Sequence, residues 1–473
     1  MSKLLKKATS NIETVPFGRF EIFNLIDNPF PSQAILNKDS TEKKLNGSIY
    51  EPEIRTAEFE KLLNNFLRSP QSDINHQRLG FLLDSSYIGR GNGKTAFLLN
   101  VLRKINNDYC LDLSGGVNKC FAVYFQPEAG GKTKTFDSFV DLFFQAVIDT
   151  DIIKNSLAIL RLESIISLKQ SEEILELYPE NELVEKLNSD EWFGSEGKEK
   201  LDISRREITI NILSNQHLQN LSKDFPLYRD TKFLTPLVTQ RDFEDHYNNL
   251  KKGKAKFDFV FTELVSLFLA SGFNGAYVFV DDFERIPDHQ SAIQKKDFVT
   301  QLRTILYDGL YSNSKIGFYN FFFALHAGVP RILQEAWALS GLEHRVSLNP
   351  AFDNPRHMIL FDKINEMHAI LLVGKYLSEY RINPIEEGNK LTPFTEEAVK
   401  IIGIKSELNA AKILQMACNI IEHAADNKVD KIDAAYVQQL TKQGNVNIEH
   451  DQSVDSISKT ETIDLMGKAQ KKD

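Results

Sequence analysis

The sequence predicts an α/β fold: a parallel sheet flanked by helices, interrupted by a helical insertion and followed by an all-helical region. Three observations predict it. Short, largely apolar runs, among them Phe121–Phe125 and Gly317–Leu325, have the composition of strands buried on both faces. Segments of helical periodicity alternate with these runs. A glycine-rich turn joins the first strand to an amphipathic helix within residues 78–104.

Taken in order, residues 1–50 are mixed and irregular, with an aromatic patch at Phe17–Phe30 and a turn at Asn28-Pro29-Phe30-Pro31. Residues 51–69 are helical, with Ile54, Phe59, Leu62, Leu63 and Phe66 on one side. The strand, glycine turn and helix of 78–104 follow. A second strand at Lys119–Phe125 leads through Pro-Glu-Ala-Gly-Gly to a helix from about Thr135. Residues 150–256 are mostly helical, rich in Leu, Ile, Glu and Lys, with turn signals at Tyr178-Pro-Glu-Asn and Phe193-Gly-Ser-Glu-Gly and no internal repeat. They close on Lys251-Lys-Gly-Lys-Ala-Lys256, read as a solvated basic loop, with DNA contact as the alternative.

A helix at Asp258–Leu269 then enters the strand of 275–286, which ends in Asp281, Asp282 and Glu284. Another helix, about Lys296–Tyr307, feeds the strand Gly317–Leu325, which ends in His326. Arg345–Leu348 and His357–Phe361 are alternative fifth strands. From about 365 the pattern is wholly helical: Glu366–Tyr380, a helix capped by Thr392 with Pro393 at its first position, a helix from Ser406, and a last one from Ile432. Residues 444–473 carry no aromatic residue and are expected to be a disordered tail.

The chain has 473 residues, enough for two or three domains, and a net charge of −9, which argues against nonspecific coating of nucleic acid. Three cysteines, Cys110, Cys120 and Cys418, have neither metal-ligand spacing nor a disulfide framework and suit a reducing cytoplasm. No run reaches the ~18 apolar residues of a membrane span, so a cytoplasmic protein without membrane attachment is expected.

The chemistry concentrates in the glycine turn, Gly89-Arg90-Gly91-Asn92-Gly93-Lys94-Thr95-Ala96. Glycines allow backbone N–H groups to converge on phosphate oxygens, and a helix starting at Lys94 adds its positive dipole end. Lys94 is placed for the β- and γ-phosphates and the Thr95 hydroxyl for Mg²⁺. The usual first glycine falls at Ile88; here it sits one place later, at Gly89. A second Gly131-Lys132-Thr133 follows a strand too, but has Gln126 where the first glycine belongs and Pro127 in the turn, and reads as a loop. Asp281 is the candidate Mg²⁺ anchor; Asp282 or Glu284 is the candidate for polarising an attacking water. His326 or Asn320 is a candidate γ-phosphate sensor, against the alternative of a satisfied core residue.

On Gly89–Thr95, Tyr277–Glu284, the strand ending at His326 and the helical C-terminal region, the layout resembles the AAA+ class of P-loop ATPases. It is closest to the origin-recognition-like branch of replication initiators and loaders, with transposition-associated and bacterial defence ATPases. The resemblance covers roughly 50–440 without the insertion. It implies a P-loop ATPase core from 51–149 and 257–362, a helical insertion at 150–256 and a helical lid at 363–443. It also implies ATP and Mg²⁺ as ligands, about five parallel strands, self-association, and DNA or an effector protein as partner. In such oligomers an arginine reaches the neighbour's γ-phosphate; Arg345 and Arg356 are the candidates. Two departures stand out. Ala411, beside Lys412, occupies the place of the lid arginine, and the second acid is Asp282 where the family has glutamate. Either suits slow hydrolysis with ATP acting as a switch.

Overall fold

The computed structural model describes residues 18–33, 35–71, 73, 76–84, 91–231, 236–325, 329–348, 355–385 and 390–442. They fall into two compact units, one formed by 57–87 and 101–361, the other by 1–56, 88–100 and 362–473.

The first unit holds a five-stranded, all-parallel sheet. Its strands are β1 (Leu79–Asp84), β2 (Cys120–Phe125), β3 (Gly275–Val280), β4 (Tyr319–Leu325) and β5 (Met358–Phe361), in the spatial order β2-β3-β4-β1-β5. Every residue of β1 to β4 is buried, which is why these runs show no alternation and are apolar apart from Asp84 and Asn320. The register sets Val123 beside Val278, Phe279 beside Phe322, Phe81 beside Phe323 and Leu82 beside Ile359. From β1 the chain runs to β2 at one edge, and from β4 it runs to β5 at the other. The reversal therefore lies between the neighbours β1 and β4, and ligands of open α/β sheets gather at carboxyl ends beside such a reversal. This is an α/β fold of the P-loop NTPase type.

The helix Phe136–Asp149 covers part of the sheet, started by a reciprocal cap between Thr135 and Ser138. Its Phe143 packs edge-on against Tyr319 and Phe321. The helices between 152 and 249 belong to the same apolar core: Leu157, Leu160, Trp192 and Phe243 join one cluster with Phe121, Val278 and Phe321. Arg161, buried among them, donates to the carbonyls of Leu187 and Val238 and to Asn188 Oδ1, tying three segments together. The basic segment ends in Lys256, whose ammonium pairs with Asp141 at 2.8 Å, while Lys251, Lys252 and Lys254 are exposed.

The second unit is helical: Glu366–Glu379, Glu396–Lys405, Ala410–Asp426 and Ala434–Lys442. The aromatic patch near the start of the chain packs into it. Phe30 stacks on Tyr376 and meets Phe394 edge-on, and Phe20, Phe23 and Leu25 share that core. Two helix starts differ from the sequence reading. Thr392 and Pro393 do not open a helix, because this stretch pairs with Ile432 through Ile432 N–H to Pro393 O and Thr395 N–H to Ile432 O. The helix waits for Glu396, and Thr395 caps it by accepting from the Ala398 N–H. Ser406 closes the preceding helix; after Glu407 and Leu408, both left-handed, Asn409 caps the next by accepting from the Lys412 N–H. The stretch 51–69 also departs from one regular helix, running as a 3-10 turn (Pro52–Arg55), an α-helix (Thr56–Leu62) and a π turn (Leu63–Leu67). The fifth strand is the second alternative, β5; Arg345–Leu348 forms no strand. The tail at 444–473 lies outside the described residues.

Candidate functional site

The glycine turn belongs to the helical unit, and its described part is Gly91–Ala96. Gly91 (φ +105°) and Gly93 (φ +84°) adopt backbone conformations that side chains oppose. The helix Lys94–Asp108 begins at the expected lysine, with Phe97 N–H donating to Gly93 O at 2.9 Å. The two glycines differ in their surroundings. Among the described residues, a Cβ on Gly93 would meet nothing within 4 Å. One on Gly91 would lie 2.6 Å from Ala411 Cβ and 2.7 Å from Asn409 Oδ1. Residue 91 is glycine because a helix end abuts it. Lys94, Thr95 and Ala96 are half-buried, and Asn92 is buried. Two positive-φ glycines flanking Asn92 at a helix N-terminus fit a polyphosphate.

Two residues beside this loop escaped the sequence reading. Arg55, buried, donates through Nη2 to Asn92 O (2.9 Å) and to Asp362 O (2.9 Å). Asn409 Nδ2 lies 3.5 Å from Asn92 Oδ1, and Ala411 N–H donates to Gly91 O at 3.1 Å. Asn409 was findable as the cap of Asn-Ala-Ala-Lys; nothing in the local pattern distinguishes Arg55.

The acidic strand end belongs to the sheet unit. Asp281 is 2% exposed, directly after β3, and its N–H extends the ladder to Phe125 O. Oδ2 accepts from the Tyr124 hydroxyl (2.9 Å) and Oδ1 from the Asp282 N–H (3.0 Å). Burial, reinforced by the Asp281 charge, pushes the Tyr124 phenol up, so it remains a donor. A carboxylate held this way is a hard oxygen ligand suited to Mg²⁺. Asp282 is left-handed (φ +45°), and its Oδ2 accepts from Gln126 (2.7 Å) and Arg285 (2.5 Å). Arg285 also holds Pro127 O. Glu284 is buried in the turn Phe283–Arg285, where Phe283 stacks on Phe323 at 4.1 Å. Among the described residues no three His, Cys, Asp or Glu form a metal-binding group. Mg²⁺ commonly needs only one or two carboxylates beside substrate phosphates.

The remaining candidates divide. Gly89, Arg90 and His326 lie outside the described residues. Asn320 is a core residue at the amino end of β4, remote along the strand from the ligand-gathering end. Its Nδ2 donates to Gln71 Oε1 (2.8 Å), and its Oδ1 meets His76 Nε2 (3.0 Å). Asn320 is therefore a satisfied core residue and not a γ-phosphate sensor. Arg345 follows the 3-10 turn Leu342–His344 and Arg356 precedes β5; both are exposed. Among the described residues no helix is long and apolar enough to cross a membrane.

No protein-family model and no curated protein matches this sequence. Seven chains of solved structure match. One is the Aeropyrum pernix ORC2 protein in ADPNP–ADP complexes, 8% identical, with 89% of this chain and 72% of that chain covered and a TM-score of 0.39. At that identity and score the likeness carries no functional argument; the fold assignment rests on strand order and direction.

Proposed function

We propose that this chain binds ATP on the loop Gly89–Ala96, with Lys94 on the phosphates and Thr95 on Mg²⁺. Its nucleotide state then drives assembly or remodelling on DNA or a partner protein. The observation that supports this most is the loop itself: two positive-φ glycines immediately before a fifteen-residue helix that opens on Lys-Thr. For the acidic strand end we propose Asp281 as a metal ligand and Glu284 as the residue that orients water. His326 is proposed as a γ-phosphate sensor, and Arg345 or Arg356 as an arginine acting on a neighbouring subunit. Self-association, a defence or DNA-transaction role and cytoplasmic residence belong to the same proposal.

The second reading is a switch that binds ATP tightly and hydrolyses it slowly. It is favoured by Asp282, whose carboxylate is held by Arg285 and Gln126 and so is poorly placed to take a proton. Calorimetric ATP binding and multiple-turnover hydrolysis, with and without DNA, separate the two. DNA-stimulated turnover supports the first reading; tight binding with negligible turnover supports the second. Absence of ATP binding removes both. If turnover is measurable, Glu284→Gln is expected to lower it about a hundredfold and Asp282→Asn much less; the reverse order would reassign the base to Asp282.

A further inference from the structure

A loop that binds phosphate through its N–H groups must turn the matching carbonyls the other way. Peptide units are planar, and across a trans bond the C=O of one residue and the N–H of the next point in opposite directions. The peptides linking residues 91 to 94 are trans, the one cis bond among the described residues being Thr392–Pro393. Where three successive carbonyls are held therefore dictates where three successive N–H groups aim.

All three carbonyls have a donor. Gly91 O takes the Ala411 N–H at 3.1 Å, Asn92 O takes the Arg55 guanidinium at 2.9 Å, and Gly93 O takes the Phe97 N–H at 2.9 Å. The third is the ordinary first bond of the helix. The other two come from far along the chain. Asn92 lies 37 residues from Arg55, and the Ala411 amide sits in the first turn of the helix capped by Asn409. Arg55 is itself fixed, because the same nitrogen donates to Asp362 O, ahead of Glu366–Glu379.

We infer that Arg55 and the Asn409–Ala411 turn are positioning residues. By holding the carbonyls of Asn92 and Gly91, they aim the N–H groups of Gly93 and Asn92 at a polyphosphate. The inference rests on the loop being a phosphate site, as proposed above. It adds that the shape of the loop is imposed from the helical unit, and it assigns to a backbone amide at Ala411 a role in that region of the lid. Residue 91 can be nothing but glycine while that amide is in place, since a Cβ would strike Ala411 and Asn409.

The test uses the full chain with Mg·ATP and, separately, inorganic tripolyphosphate as probes, in calorimetric titrations below each variant's melting midpoint. The wild type is expected to bind both. Arg55→Ala should weaken both by the same factor, about ten- to a hundredfold, the cost of losing a charged donor. Arg55→Lys should restore part, since an ammonium can still reach one carbonyl. An arginine that serves stability alone would lower the melting midpoint and leave the affinity of folded protein unchanged. Asn409→Ser keeps a capping oxygen but loses the reach to Asn92, and should cost about two- to tenfold. It also decides the matter if Arg55→Ala fails to fold.

Wild-type affinity in Arg55→Ala, or in Asn409→Ser where the first variant is unfolded, overturns the inference. If Lys94→Ala is weakened in the same series, the phosphate-loop reading survives that result. A wild type that binds neither probe overturns the phosphate-loop reading instead, and this inference falls with it.

Discussion

The chain contains Gly-Lys-Thr twice, and the two copies have different structures. At Gly93-Lys94-Thr95 the lysine opens a helix, and the preceding carbonyls are held by Arg55 and Ala411. At Gly131-Lys132-Thr133 both Gly130 and Gly131 are also left-handed, but no helix follows until Phe136. Lys132 projects into solvent, 76% exposed, and pairs with Glu128 at 2.7 Å, while Thr133 is buried. A Cβ on Gly131 would strike Lys134 and His289. The contrast teaches that the same tripeptide does not fix its own local structure. A cradle also requires a helix N-terminus at the lysine and carbonyls turned outward.

Parallel substitutions in the two copies can break that contrast. The largest effect is expected from Lys94→Ala, which should weaken ATP binding about a hundredfold in a calorimetric titration, whereas Lys132→Ala should leave affinity unchanged. Equal effects would end the distinction between the copies. Next comes Gly91→Ala against Gly130→Ala. Both impose a left-handed alanine, at a cost of about 1–2 kcal/mol in chemical denaturation. Only the first adds a clash with Ala411, so it should destabilise more and also reduce ATP affinity about tenfold or more. Among the described residues nothing lies within 4 Å of a new Cβ on Gly130, and its variant should bind normally.

The third pair is Thr95→Ala and Thr133→Ala. The first should abolish most of the gain in ATP affinity on adding Mg²⁺, with little change in stability. The second should lower the melting midpoint by a few degrees, because Thr133 is buried, and leave the Mg²⁺ dependence intact. The smallest effect is expected from Glu128→Gln, which removes an exposed ion pair and should move neither affinity nor melting midpoint measurably. A larger shift would mean the second loop does more than connect β2 to its helix.

Much of the sheet was legible because each strand carries its own evidence. Residues 121–125 are apolar at every position and residues 319–325 at every position but Asn320, as a strand covered on both faces requires. Asp281 was legible as the first acid after such a run. Caps were less so. Thr392 and Thr395 stand three residues apart, and both are acceptable caps; the pairing of Pro393–Thr395 with Ile432 chose the second. Asn320 misled because polarity near a strand looks the same from the sequence at either end. Only its position at the amino end of β4, beside Gln71 and His76, shows what it does.

What the sequence determined by itself was local: apolar runs that must be strands, glycines that permit left-handed turns, and a lysine and threonine at a helix start. Each follows from the residue's own sterics and hydration, so neighbours suffice to read it. What the tertiary structure decided were pairings between distant residues: Arg55 with Asn92 and Asp362, Ala411 with Gly91, Tyr124 with Asp281, Asp282 with Arg285 and Gln126. A buried donor takes whichever acceptor the fold brings within about 3 Å. That choice is made by packing across tens to hundreds of residues, and no local pattern records it.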